Sequence, residues 1–229
     1  MKLLLTSGGV TNPSIELALV DLLGNPVAEC RALAIPTATY AHPWCTPEHA
    51  FRFVTGEGPG AMTNLGWASV GVLELTALPS LDRERWEGWV READVLLVGG
   101  GDVLYLAHWL RESGLADLLP DLDDVVWVGL SAGSMVLAPR VGHEFTQWHA
   151  PGADPDDDTT LGLVDVAIFP HLAPDGQPGN SMAEAEQWAA SIGHDAYALD
   201  DAGALVVVEG EVTVVSDGAW RFFAHSASD

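Results

Sequence analysis

The run Gly129-Leu130-Ser131-Ala132-Gly133 sets one serine between two glycines, directly after the apolar stretch Val125–Val128 and before Met135-Val-Leu-Ala138. Strand, sharp turn and helix in that order is the setting in which G-x-S-x-G lifts a serine hydroxyl clear of a sheet. Backbone N–H groups at the start of the following helix then lie beside the hydroxyl, where an oxyanion could be held. The chemistry this suits is acyl transfer through a nucleophilic Ser131. The motif alone also recurs as an inert glycine-rich turn, and the flanking strand and helix are what favour the catalytic reading. A serine hydroxyl stays unreactive until a base takes its proton. The candidates are His42, His49, His108, His143, His149, His171, His194 and His225. His171 stands apart because it follows the apolar run Val164–Phe169 and Pro170 at a strand's carboxyl end, on the rim expected for Ser131. His143 and His149, in the loop after the serine, are weaker rivals, and His108 falls mid-helix and reads as structural. A third group must orient the base. Asp201 or Asp200, in Leu199-Asp200-Asp201-Ala202-Gly203, follows another strand on the same rim, and Glu144 is a further choice. A plain surface turn is nearly as good a reading of two aspartates in a chain with 33 acidic residues.

Other chemistries are poorly supported. Gly99-Gly100-Gly101-Asp102 lacks both G-x-G-x-x-G and G-K-[ST], so it does not read as a phosphate loop; consecutive glycines better suit a backbone approach to the same oxyanion. Neither His-x-x-x-His nor Cys-x-x-Cys occurs, so no metal site is expected. Asp154–Asp158 lacks the spacing of a calcium loop and reads as a solvated loop.

The elements that must position these residues follow from patterning. Short apolar strands are expected at Lys2–Thr6, Ala32–Ile35, Trp67–Leu75, Asp94–Val98, Val125–Val128 and Leu163–Phe169. Helices alternate with them: one opened by Asn12-Pro13 and stopped by Gly24, one starting at Thr46-Pro47, one over Leu81–Arg91 capped by Ser80, and one through Leu104–Leu110. Ser181-x-x-Glu184 is a capping box opening a helix to about Ser191. Ala204–Val208, Glu211–Val215 and Trp220–Phe223 read as antiparallel strands turned at Glu209-Gly210 and Asp217-Gly218. Continuous apolar strands alternating with helices predict an α/β fold, a three-layer α/β/α domain over residues 1–229 with a mostly parallel central sheet and a C-terminal antiparallel hairpin region.

Charge narrows the partners. With 33 Asp+Glu against 9 Lys+Arg the net charge is −24, which cannot build the basic face that nucleic acid or an anionic membrane surface requires. Hydrophobic residues at 48% and nine tryptophans exclude a disordered acidic chain. Two cysteines, Cys30 and Cys45, are too few for a disulfide framework. The start, Met1–Gly9, lacks a signal-peptide pattern and no run reaches the ~18 apolar residues of a membrane span, so a cytoplasmic protein is expected. A homodimer is left open.

Taken together, Val-Gly-Gly-Gly-Asp-Val-Leu-Tyr-Leu (98–106), Gly-Leu-Ser-Ala-Gly-Ser (129–134) with Pro139, Phe-Pro-His (169–171) and Leu-Asp-Asp-Ala-Gly-Ala-Leu (199–205) resemble the peptidase E family of serine peptidases, the aspartyl dipeptidases. Cyanophycinases are relatives, and the family's fold is similar to class I glutamine amidotransferases. The resemblance covers nearly the whole chain, in order and spacing. It implies Ser131 as nucleophile, His171 as base, Asp201 as the acid, an oxyanion hole on the backbone of Gly101 and Ala132, and no metal or cofactor. With it comes a small peptide substrate as the expected partner, and Gly100, Asp102 and Arg140 are the candidates for substrate contact. Two departures matter. Asp102 stands where members often have Asn, and Asn180-Ser181-Met182-Ala183-Glu184 carries no Arg where members often have one. Arg140 is then the nearest cation in sequence, and an acidic loop at Asp154–Asp158 would repel an aspartyl substrate if it closed over the site. The expectation is an Asp-X dipeptidase-like exopeptidase, with the balance leaning to specificity broadened toward neutral or basic peptides. A hydrolase of a β-Asp-Arg dipeptide and a non-catalytic amidotransferase-like binding protein are the alternatives.

Overall fold

The computed structural model describes residues 1–58, 60, 62–173 and 180–225. A seven-stranded sheet runs β3 (Ser69–Val72), β2 (Arg31–Ile35), β4 (Val95–Val98), β5 (Val126–Leu130), β1 (Lys2–Thr6), β8 (Gly203–Val208) and β9 (Glu211–Ser216). The first five are mutually parallel; β8 lies antiparallel to β1, and β9 to β8. A second sheet joins β10 (Trp220–Phe223), β7 (Asp195–Leu199) and β6 (Val166–Phe169), with β6 and β7 parallel.

Alternate side chains of the central strands go to opposite cores, as the pleat demands. Leu3, Leu5, Leu96, Val98 and Trp127 join one buried cluster, while Leu4, Val95, Leu97, Val126 and Val128 join the other. Both faces are therefore covered, which is why β4 reads Val-Leu-Leu-Val without a polar residue. Helix α4 (Val103–Glu112) packs into the first cluster through Leu106 and Leu110, and α1 (Pro13–Leu23) into the second through Ile15 and Leu19. A third cluster, with Phe169, Trp188 and Ile192, seats α7 (Met182–Ile192) on the small sheet.

Several boundaries differ from the sequence expectation. The third helix, α3 (Arg83–Arg91), is capped by Asp82, whose carboxylate accepts the N–H of Arg85, and not by Ser80, which ends a preceding 3₁₀ turn. The strand expected over Trp67–Leu75 is only β3, because Leu75 already begins that turn. Helix α6 (Ala132–Met135) after Ser131 is a single turn and does not continue through Ala138. The C-terminal strands do not form one antiparallel unit. β8 and β9, turned at Glu209 and Gly210 with positive φ of 53° and 83°, extend the central sheet. β10 leaves it for β7, the chain bending where Asp200 accepts the backbone N–H groups of Ala202 and Ala219.

Candidate active site

The parallel strands end on one rim, and the chemistry-bearing residues lie just beyond β1, β4, β5, β6 and β7. β5 delivers Ser131 with φ 50° and ψ −111°, a left-handed backbone that a side-chain-bearing residue adopts only under constraint. The constraint is visible: the Ser131 N–H and the Ser134 hydroxyl both donate to the carbonyl of Thr6, at 3.1 and 2.8 Å. The flanking glycines serve close approach and not the strained φ itself. A Cβ on Gly129 would lie 2.4 Å from the carbonyl oxygen of Gly133, and one on Gly133 would lie 2.2 Å from that of Val98.

His171, just past β6, also has positive φ, at 55°. Its Nε2 is 2.9 Å from Ser131 Oγ and its Nδ1 is 2.6 Å from Asp201 Oδ1. An ionised carboxylate only accepts, so Nδ1 carries the proton and Nε2 presents its lone pair to the serine hydroxyl. The hydrogen bond from His171 holds the Asp201 carboxyl below the usual carboxylate range; partial burial opposes this, while the His171 charge and the Ser7 hydroxyl reinforce it.

The sequence left the acid open among Asp201, Asp200 and Glu144, and geometry separates them. Asp200 is spent on the turn between β7 and β8. Glu144 lines the cleft beside Ser131, but the Nδ1 of His171 is bonded to Asp201. His143 and His149 are not among the lining residues, and His108 packs against Trp109 and Trp148.

The cleft over Ser131 has a volume of about 510 Å³. Gly100, Gly101 and Asp102 form part of its wall, and the N–H groups of Gly101 and Ala132 donate no hydrogen bond to another described residue. Gly101 is obligatory there: its φ is 144° and a Cβ would fall 2.2 Å from the carbonyl oxygen of Ala38. Asp102 lines the cleft but is almost wholly buried. Its side chain is buried, one oxygen accepts the N–H of Tyr105 as the cap of α4, and the other has no partner among the described residues. Burial pushes its carboxyl pKa up, against the Tyr105 N–H and the charge of His42.

Arg140 is a correction. It does not line the cleft; its Nε binds Asp158 Oδ1 at 2.8 Å. Asp158 is itself buried, accepting the Gly142 N–H as well, so the loop is not solvated throughout, and none of Asp154–Asp158 lines the cleft. The cleft's cation is Arg52, which sequence reasoning missed. It lies on α2 (Pro47–Thr55), one turn beyond His49, and among the described residues no other Lys or Arg lines the cleft. The signal available was the His49-x-x-Arg52-Phe53 spacing, which puts three lining residues on one helix face. Ser7, just beyond β1, is a second residue that the sequence pattern does not mark. No group of three or more His, Cys, Asp or Glu residues is arranged to hold a metal among the described residues, and none of their helices is long and apolar enough to cross a membrane.

Comparison with known proteins shows the family and the fold. The peptidase E of Salmonella arizonae is 30% identical over 102 residues and that of Citrobacter koseri 31% over 102, in each case 42% of this chain and 42% of the relative. The matched stretch thus spans under half the length of these relatives. Among solved structures, a peptidase E-type protein from Listeria monocytogenes EGD-e superposes with a TM-score of 0.65 at 18% identity, covering 95% of this chain and 98% of the other. A peptidase from an acI-B1 Actinobacterium gives 0.64 at 20% identity, covering 99% and 95%. At that identity the likeness establishes the α/β fold. The model of peptidase family S51 matches residues 3–215, nearly the whole chain, and the protein belongs to that family.

Proposed function

We propose that this protein is a serine exopeptidase acting on dipeptides or short peptides through an acyl-enzyme. The observation that carries the reading is the continuous chain Ser131 Oγ–His171 Nε2–Asp201 Oδ1 opening onto a cleft of about 510 Å³, a volume suited to a small ligand. In the proposed reaction His171 accepts the Ser131 proton as the hydroxyl attacks the scissile carbonyl. The N–H groups of Ala132 and Gly101 hold the oxyanion, and they need no dipole from α6, a single turn. His171 returns the proton to the leaving amine, then deprotonates the water that releases the acyl group. Asp201 keeps the imidazole in the Nδ1–H tautomer throughout.

Arg52 bears on specificity. Helix α2 lies against the glycine loop that carries Gly101, the Phe53 ring standing 3.3 Å from where a Gly99 Cβ would be. Arg52 lines the same cleft as Ser131 and His171 and is the cation there, among the described residues, that can meet a carboxylate on the substrate. This favours an N-terminal aspartate over the neutral or basic residues that the net charge alone suggests. A second reading rests on Glu144, a carboxylate in the same cleft: a β-Asp-Arg dipeptide would offer Arg52 an acid and Glu144 a guanidinium. Cleavage of Asp-Leu against β-Asp-Arg separates the two. The class of reaction is tested with Ser131→Ala and a serine-directed fluorophosphonate. Abolished turnover and no adduct are expected, and cleavage retained by that variant would exclude Ser131 as nucleophile.

A further inference from the structure

The Ser7 hydroxyl is fully buried and joins two parts of the site that come from distant sequence. It donates to Asp201 Oδ1 at 3.2 Å and accepts the backbone N–H of His171 at 2.7 Å. Its own N–H is fixed to the carbonyl of Gly203 at 3.1 Å, so the hydroxyl has little freedom to leave. The surrounding loop grips the same turn: Thr11 Oγ1 donates to the Asp201 carbonyl at 2.7 Å, and Asn12 Nδ2 donates to that of Ala202 at 2.9 Å. Gly8 lies so close that a Cβ there would fall 2.7 Å from the Asp201 Cβ.

These contacts meet two needs of the site. His171 has a strained φ of 55° and an exposed ring, so something must hold its backbone in place. The Asp201 side chain is 64% exposed and would otherwise rotate freely in solvent. One buried hydroxyl satisfies both, and its donor bond favours the ionised carboxylate. We propose that Ser7 is a positioning residue that locks the His171 backbone and the Asp201 carboxylate into register for the proton relay. The proposal rests on the catalytic reading of Ser131, His171 and Asp201 given above.

The test compares Ser7→Ala in the wild-type and Asp201→Asn backgrounds. The rate of Ser131 phosphonylation by a fluorophosphonate, which needs no knowledge of the substrate, is expected to fall about 10- to 100-fold in Ser7→Ala, as befits loss of a hydrogen bond to a charged group. In the Asp201→Asn background the same change should cost several-fold less, because the carboxylate it orients is gone and only its bond to the His171 N–H remains to be lost. The His171 Nδ1–H proton resonance, followed by NMR in the resting protein, should lie far downfield in the wild type and move upfield in Ser7→Ala. If Ser7→Ala does not fold, Ser7→Cys keeps most of the volume with a weaker donor, and the same two readouts apply. An unchanged rate and resonance, or an equal loss in both backgrounds, overturns the proposal. A wild type that is never labelled at Ser131 would overturn the catalytic reading instead, while the resonance would still report whether Ser7 holds the His171–Asp201 pair.

Discussion

Asp200 and Asp201 are neighbours in the chain, yet their carboxylates serve different parts of the molecule. Asp201 binds the His171 imidazole and the Ser7 hydroxyl, whereas Asp200 closes its own turn and receives the Ala219 N–H where β10 departs. Their substitution should therefore divide cleanly. Asp201→Asn is expected to lower kcat by about 10²- to 10⁴-fold with the melting temperature little changed, since an amide favours the wrong imidazole tautomer. Asp200→Asn should leave kcat within about 3-fold and cost about 1 kcal/mol of stability. Steady-state kinetics and thermal melts of the pair check both, and the reverse pattern would make Asp200 the partner of His171.

The backbone at Ser131 gives a second expectation. A residue held at φ 50° and ψ −111° carries strain on the order of 1–3 kcal/mol, and glycine relieves it. Ser131→Gly should melt higher than Ser131→Ala by about 1 kcal/mol in unfolding free energy, although both remove the hydroxyl. Equal stabilities would mean that the turn is not strained.

Two arginines should separate specificity from stability. Arg52→Gln is expected to lower kcat/KM for Asp-Leu by about 10- to 100-fold, the loss of a charge-assisted contact, and to leave a neutral dipeptide such as Ala-Leu within about 3-fold. Arg140→Gln removes the partner of a buried carboxylate, and should cost about 1–3 kcal/mol of stability with the Asp-Leu to Ala-Leu ratio unchanged. A shift of that ratio in Arg140→Gln but not in Arg52→Gln would reverse the assignment.

Asp102 predicts a pH dependence. Burial raises its folded pKa above the unfolded value, so the protonated form is favoured on folding. That contribution is fully present below the ordinary carboxylate range and is lost as pH rises through the raised folded value. Asp102→Asn keeps an oxygen for the Tyr105 N–H but carries no charge. It should exceed the wild type by about 1 kcal/mol near pH 7, with the gap closing toward about pH 4. Denaturant unfolding across that range is the measurement, and a gap that is constant with pH would show that the buried charge is not its origin.

The sequence by itself determined the layered fold and where two of the three residues of the proposed relay stand. Uninterrupted apolar strands such as Val95–Val98 can only be buried on both faces, and a residue just past such a strand can only stand on the carboxyl rim, so Ser131 and His171 were legible from local pattern. What local pattern could not hold was pairing between distant segments. Two adjacent aspartates look alike until the turn that contains them is folded against Ser7 and His171. Arg140 is close to Ser131 in sequence but is drawn off by Asp158, while Arg52, far away in sequence, is carried to the cleft by α2. The strand ends of β1 and β5, neighbours in the central sheet, meet that of β6, from the second sheet, only once the two sheets are packed together. A hydroxyl seven residues from the start can then reach a carboxylate nearly two hundred residues later. Side-chain partners at such separations are fixed by the sheet's topology, and the tertiary structure alone decided them.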